Sequence, residues 1–113
     1  MGWIQLTSID QLTEIEERSK VKPVLIFKHS TRCSISSTAM NRLNGSLDKL
    51  SEKLDLYYLD LLSFRNISNE IESRYLVHHE SPQVIVLKSG IRVYNSSHLG
   101  IAPSAILQEA SDL

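Results

Sequence analysis

The sequence predicts an α/β fold in which a mixed central sheet has helices on both faces. Short apolar segments rich in branched residues, such as residues 23–27, have the pattern of strands that are covered on both sides. Amphipathic segments with apolar residues every three or four positions alternate with them, as expected of helices. Ser89-Gly90 joins two further apolar runs as a two-residue turn, which predicts a hairpin. Helix-linked strands pair in parallel and hairpin strands do not, so the sheet is predicted to be mixed.

The first quarter of the chain predicts a strand, a helix and a buried strand. Residues 3–6 indicate an edge strand. Ser8 followed by Gln11 resembles a capping box, in which side chains bind the free amides at a helix start, and this helix is expected to run to about Arg18. Residues 23–27 then form the buried strand.

The next helical pattern is a single apolar stripe, made of Ile35, Ala39, Leu43, Leu47, Leu50 and Leu54. Asn44-Gly45 is expected to kink or interrupt this helix, because glycine lowers helix stability by roughly 1 kcal/mol against alanine. A strand is predicted at residues 56–62 and a short helix at 68–75, with Ser68 as its N-cap.

The last third of the chain completes the predicted sheet. The hairpin strands are expected at residues 83–88 and 91–96. Pro103 suits the first position of a closing helix, which is predicted over residues 103–110.

Composition limits the class of protein. A chain of 113 residues with 42% hydrophobic and 22% charged residues is expected to fold as a single domain over residues 1–113. The net charge of −1 gives no basic surface, which disfavours nucleic acid as a partner. The N-terminus lacks the pattern of a signal peptide, and no apolar stretch is long enough for a membrane span. With one cysteine and no disulfide framework, the expected location is a reducing cytoplasm.

The candidate functional residue is Cys33, the only cysteine, which lies within the stretch HSTRCSIS. It follows a predicted strand and opens the next helix, where free amides and the helix dipole favour a thiolate over a thiol. Arg32 and, if protonated, His29 are expected to add positive charge. Free cysteine is often a small buried hydrophobe, but polar residues surround this one, which favours a reactive thiol.

Several hydroxyl groups accompany this thiol. Ser34, Ser36 and Ser37 are expected to donate hydrogen bonds to the sulfur. Ser36 also stands where a Cys-x-x-Cys motif would place a second cysteine, so Cys33 must form its disulfides with another molecule.

Two other motifs, Ser81-Pro82 and His78-His79-Glu80, contain residue types that often belong to functional sites. Pro82 follows Ser81 at the mouth of a predicted strand, where a missing amide is tolerated, and the pattern leaves open whether the bond is cis or trans. His78-His79-Glu80 lacks the ligand spacing of a metal site, and adjacent side chains on an extended segment point apart. No metal is therefore predicted.

The segments FKHSTRCSIS, LYYLDLL and HESPQVIVLKSG resemble the monothiol bacilliredoxins, the YtxJ-type bacillithiol system redox-active proteins, which have a thioredoxin-like fold. The resemblance covers about residues 6–110. It implies that Cys33 is the catalytic nucleophile and that Pro82 is the cis-proline opposite it. Thr31, Arg32, Ser34, Ser36 and Ser81 occupy the thiol-activating or substrate-positioning places of the motif, and Ser34 stands where the family has proline.

The resemblance also implies a reaction and its partners. A monothiol thiol-disulfide oxidoreductase of this kind removes a low-molecular-weight thiol, bacillithiol or one like it, from mixed disulfides with client proteins. The small thiol is a co-substrate, no cofactor is bound, and neither nucleic acid nor membrane is a partner. Ser81 is expected to present backbone groups to a bound extended thiol, as an added strand would.

Three other functions remain open. A one-cysteine peroxidase lacks its expected proline, since Phe27 and Lys28 stand there instead. A monothiol glutaredoxin holding an iron–sulfur cluster lacks its glycine, since Ser34-Ile35 replaces it. A non-enzymatic adaptor would use the surface of the same fold for protein binding, and Cys33 would be incidental. A redox sensor would instead signal through the oxidation of Cys33.

Overall fold

The computed structural model describes residues 2–111, which form five strands and five α-helices. In chain order the elements are β1 (Ile4–Gln5), α1 (Gln11–Arg18), β2 (Val24–His29), α2 (Ser34–Asn44), α3 (Leu47–Lys53), β3 (Asp55–Asp60), α4 (Arg65–Tyr75), β4 (Gln83–Lys88), β5 (Ile91–Ser97) and α5 (Pro103–Ser111), with a 3₁₀ turn at His98–Gly100 before α5.

The sheet has five strands in the order β1-β3-β2-β4-β5. β3 pairs in parallel with β1 and with β2, whereas β4 pairs antiparallel with both β2 and β5. This confirms the predicted mixed sheet, including the hairpin of β4 and β5. β2 is the central strand, and all six of its residues are buried.

The core has two halves, one on each face of the sheet. Alternate residues of β2 point to opposite faces, so Val24 and Ile26 join one half and Leu25 and Phe27 the other. The first half packs against α1 and α4. The second half packs against α2, α3 and α5. Burial of each such side chain contributes about 1.5–3 kcal/mol, so the two halves hold the helices on both faces.

Some element boundaries differ from the prediction. β3 ends at Asp60, because its carboxylate accepts hydrogen bonds from the Leu62 amide at 3.2 Å and the Ser63 hydroxyl at 3.0 Å and turns the chain. The predicted N-cap at Ser68 is wrong, because α4 already begins at Arg65 and Ser68 is buried in its first turns.

One local signal at the other helices is confirmed and one only in part. The helix predicted to be interrupted near Asn44-Gly45 is divided there into α2 and α3. The capping box before α1 is half formed: Oε1 of Gln11 accepts the Ser8 amide at 3.0 Å, but the N-cap is Asp10 and not Ser8. Within residues 2–111, no helix combines the length and the apolar character that a membrane crossing requires.

We expect Gly90→Ala to lower the free energy of unfolding by about 1 kcal/mol, because an L side chain is strained at this backbone conformation. Gly90 has a φ of +74° and Ser89 a φ of +51°, the pattern of a type I′ hairpin turn. Urea denaturation measures the change. Gly45→Ala is the matched control, since the φ of Gly45 is −66° and a methyl group there would meet neighbours only at 3.4 Å. Equal losses in the two variants would contradict the explanation.

Candidate active site

Cys33 lies at the end of a short turn that leads from β2 into α2. The Cys33 amide donates to the Ser30 carbonyl at 3.2 Å, which closes the turn. Cys33 is the N-cap of α2, with extended backbone angles, and its carbonyl accepts the Ser37 amide at 3.1 Å. The thiol is free and half-buried. The predicted place of the cysteine, between the strand and the helix start, is therefore confirmed.

The electrostatic setting of this helix start favours an anion. The first turn of α2 holds no acidic residue, so no carboxylate there offsets the positive end of the helix dipole. The Cys33 side chain itself makes no capping hydrogen bond. Thr31, Arg32 and Ser34 are all exposed beside the cysteine.

Ser36 faces away from the sulfur. Its Oγ accepts the Ser30 amide at 3.0 Å and lies 2.6 Å from Nδ1 of His29. The Oγ–Nδ1 contact is a hydrogen bond whose direction is set by the tautomer of His29, and no hydrogen bond joins Ser36 to the sulfur within residues 2–111. The expectation that Ser36 donates to the sulfur is therefore wrong. The hydroxyl instead ties the first turn of α2 to the end of β2. Ser37 also turns elsewhere, with its Oγ 3.4 Å from the Cys33 carbonyl.

His29 is buried and neutral at pH 7. Its ring packs against Phe27 and Tyr58, with centroid distances of 5.5 and 5.6 Å. Burial lowers the pKa of the imidazole, and the charge of Asp60 opposes this only in part. The sequence suggests positive charge from His29 only if the imidazole is protonated, and in the structure it is not. Its role in the structure is to form the hydrogen bond with the Ser36 hydroxyl.

Ser81 and Pro82 lie at the same end of the sheet as Cys33. Gln83 pairs with Lys28 in the antiparallel register of β4 and β2, so Pro82 is level with His29. The Ser81-Pro82 bond is cis. The Pro82 carbonyl accepts the His98 amide at 3.0 Å, and Ser81 Oγ is buried without a hydrogen-bond partner within residues 2–111.

The segment after β5 forms the third side of this end of the sheet. Arg42 of α2 donates from Nη1 to the Leu99 carbonyl at 3.0 Å and to the Ile101 carbonyl at 3.3 Å, which holds the segment beside α2. Leu99 is 63% exposed and Ile35, in the first turn of α2, is 40% exposed. The region therefore offers apolar surface.

The side chains of the three adjacent residues His78, His79 and Glu80 make separate contacts and do not converge on one site. His78 lies 3.7 Å from Glu72, His79 contacts Lys28 and Ser68, and Glu80 lies 3.6 Å from His98. Within the described part of the chain, no group of three or more His, Cys, Asp or Glu side chains could hold a metal ion.

Sequence reasoning missed Lys28. Its side chain is fully buried although lysine is almost never found so unless it is paired. The alternation of side chains along β2 indicates this burial, since Lys28 falls on the same face of the strand as Val24 and Ile26, which both lie in the core.

Ser36→Ala is expected to lower the free energy of unfolding by about 1–3 kcal/mol, because the Ser30 amide and the imidazole of His29 lose their partner while buried or half-buried. Urea denaturation of the purified variant measures this. Ser37→Ala, one residue on and exposed, is the matched control and is expected to change stability little. A loss of similar size in Ser37→Ala would show that the Ser36 contacts are not the cause.

The stability of the protein is expected to depend on His29 in acid. Because folding lowers the pKa of His29 below 6.5, the unfolded chain takes up the proton first, and stability is lost as the pH falls from about 6.5. The free energy of unfolding, compared between wild type and His29→Gln from about pH 7 to pH 5, isolates this contribution. Wild type is expected to lose more stability than the variant over this range. A difference that stays constant with pH would contradict the prediction.

Comparison with known proteins agrees with the fold and the motif. Among solved structures, a candidate oxidoreductase with a thioredoxin fold matches with a TM-score of 0.82 and 36% identity, covering 94% of this chain and 91% of the other. The thioredoxin of Malassezia sympodialis matches with a TM-score of 0.77 and 20% identity, covering 98% and 94%. That of Fasciola hepatica matches with a TM-score of 0.75 and 9% identity, covering 95% of each chain. The predicted thioredoxin-like fold is confirmed, which supports a thiol redox role. The family model described as monothiol bacilliredoxin BrxC matches residues 4–106, and the chain therefore belongs to the monothiol bacilliredoxin family.

Proposed function

We propose that this protein is a monothiol thiol-disulfide oxidoreductase that removes a small thiol of the bacillithiol type from mixed disulfides with client proteins. The observation that carries the proposal is the setting of Cys33, a half-buried free thiol at the N-terminus of α2 on the side of the sheet where Ser81-Pro82 lies. A thiolate is the attacking species in disulfide exchange, and a half-buried free thiol at this place can reach the sulfur of another molecule.

The reaction has two exchange steps. In the first, the Cys33 thiolate attacks the small-thiol sulfur of the mixed disulfide, that disulfide bond breaks, and the client cysteine leaves as a thiolate. Cys33 is then joined to the small thiol. In the second step a second small thiolate attacks this new disulfide, releases Cys33, and leaves as a disulfide of two small thiols. Overall, one mixed disulfide and one free small thiol become one client thiol and one disulfide of two small thiols, so the number of disulfide bonds is unchanged and the incoming small thiol is the reductant.

An external thiol is needed for the second step. Ser36 stands where a resolving cysteine would, and its hydroxyl is bound to His29 and Ser30. Cys33 is the only cysteine in the sequence, so a disulfide within the chain cannot form. A reducing cytoplasm, where small thiols are abundant, is the compartment that fits this need.

The surface around Cys33 supports a protein client. Arg32 and Ile35 are exposed and flank Cys33 in the chain, and Leu99 is exposed in the segment after β5 that Arg42 holds beside α2. The backbone of Ser81 would pair with the extended client segment beside its cysteine, as in strand addition. Arg32 would contribute a positive charge toward the departing thiolate.

We expect the wild-type protein to take the small thiol from a client whose single cysteine carries bacillithiol. Mass spectrometry of the intact chains would show Cys33 with the mass of one small thiol and the client with a free cysteine. Cys33→Ser is expected to leave the client unchanged. The same client carrying glutathione, tested in parallel, measures the preference for the small thiol.

Two outcomes would contradict the proposal. Accumulation of a covalent complex between this protein and the client would mean that Cys33 attacks the client sulfur instead. If neither small thiol is transferred and Cys33→Ser keeps the cellular phenotype of the wild type, the adaptor function is favoured.

A further inference from the structure

A group of polar side chains lies under Ser81-Pro82, on the face of the sheet opposite α2. We call it the Lys28 cluster, and its members are Lys28 of β2, Ser68 and Glu72 of α4, His79 of the following segment and Gln83 of β4. Lys28 and Gln83 have no exposed surface. Burial of polar groups is costly unless they are bound to one another, so their contacts indicate what they do.

His79 is the centre of the cluster. Its Nδ1 lies 3.4 Å from Nζ of Lys28 and 3.2 Å from Oγ of Ser68. Its amide donates to Oε2 of Glu72 at 2.9 Å. Both the ring and the backbone of His79 are therefore fixed, three residues before Pro82.

Gln83 fixes the other side of the same segment. It pairs directly with Lys28 across β4 and β2, which places the two side chains on one face. Its Nε2 donates to the His78 carbonyl at 2.9 Å. The residues just before and just after Ser81-Pro82 are thus tied to the end of β2, which leads directly to Cys33.

The charges of the cluster agree with a bond from a protonated Lys28 to a neutral His79. Burial lowers the pKa of Lys28 to about 8, with Glu72 opposing, so the amine is mostly charged at pH 7. Burial lowers the pKa of His79, and Lys28, Arg65 and His78 lower it further against the attraction of Glu72. At neutral pH the ammonium group donates to the lone pair of Nδ1, and such charge-assisted bonds are stronger than neutral ones.

We propose that Lys28 is a positioning residue of the thiol-transfer site, which acts through His79 to hold Ser81-Pro82 where a mixed disulfide binds opposite Cys33. This inference rests on the proposed thiol-transfer function. An apolar side chain at the same place in β2 would fill the core without desolvating a charge. A lysine here places a charged donor 3.4 Å from the imidazole, which an apolar side chain could not do.

The test compares Lys28→Met, His79→Gln and their double variant with wild type in the bacillithiol-transfer assay. We expect each single variant to raise KM for the mixed disulfide roughly tenfold, because the surface that orients the disulfide is displaced. The double variant is expected to cost no more than either single variant, since both remove the same bond. Lys49→Met, an exposed lysine of α3, is the matched control and is expected to keep the wild-type KM.

Two further measurements separate positioning from other roles. The rate at which iodoacetamide alkylates Cys33 is expected to stay within about twofold of wild type, because this small reagent does not need Ser81-Pro82. In Lys28→Met the pKa of His79, followed by NMR of the imidazole, is expected to rise towards its ordinary value, since the neighbouring positive charge is gone.

The outcomes are distinguishable. If wild type transfers the small thiol and Lys28→Met does so with an unchanged KM, the positioning role is overturned and the proposed function stands. A slower alkylation in Lys28→Met would mean that the lysine acts on the sulfur itself, which also overturns it. Additive losses in the double variant would show that Lys28 does not act through His79. If wild type transfers no small thiol, both proposals fail.

Discussion

The pairing of β2 with β4 is the constraint on which the rest of the site depends. β2 is buried along its whole length and bonded on both sides, so its end is fixed within the sheet. Because β4 runs in the opposite direction, its beginning meets that end, which brings Pro82 level with His29. A register shift of one residue would exchange the faces of Lys28 and His29 and separate each from its partner.

The buried polar residues gather at this end of the sheet. Within the described chain they are Ser19, Lys28, His29, Ser36, Ser68 and Gln83, and all but Ser19 belong to the site or lie directly beneath it. Desolvating such groups costs stability that an apolar core would not lose, and the opposite end of β2 is apolar. The polar residues that lower stability therefore lie where the structure positions a thiol and the surface facing it, as expected of a functional site.

Local patterns in the sequence predict the frame of this fold, and distant partners decide its details. The buried strand β2, the interruption at Asn44-Gly45 and the hairpin turn each follow from a few adjacent residues. The direction of the Ser36 hydroxyl does not, because its partner His29 is fixed by packing against two other rings. Ser68 suggests a helix start by its residue type, yet it lies inside α4 beside His79. Both errors assign a local role to a side chain that binds across the fold.

Two consecutive residues at the end of β2 hold the two sides of the site. His29 points to one face, where it binds Ser36 in the first turn of the helix that begins at Cys33. Lys28 points to the other face, where it binds His79 in the segment that leads to Pro82. Because a single peptide unit links these residues, the sulfur and the surface opposite it are held to one rigid strand end.

Fixed separation and orientation matter for disulfide exchange, since the attacking sulfur must reach one particular sulfur of its target. A chain without a second thiol cannot correct an attack on the wrong sulfur by resolving the product itself. Under the proposed function, accuracy in the first attack would come from the frame that Lys28 and His29 provide.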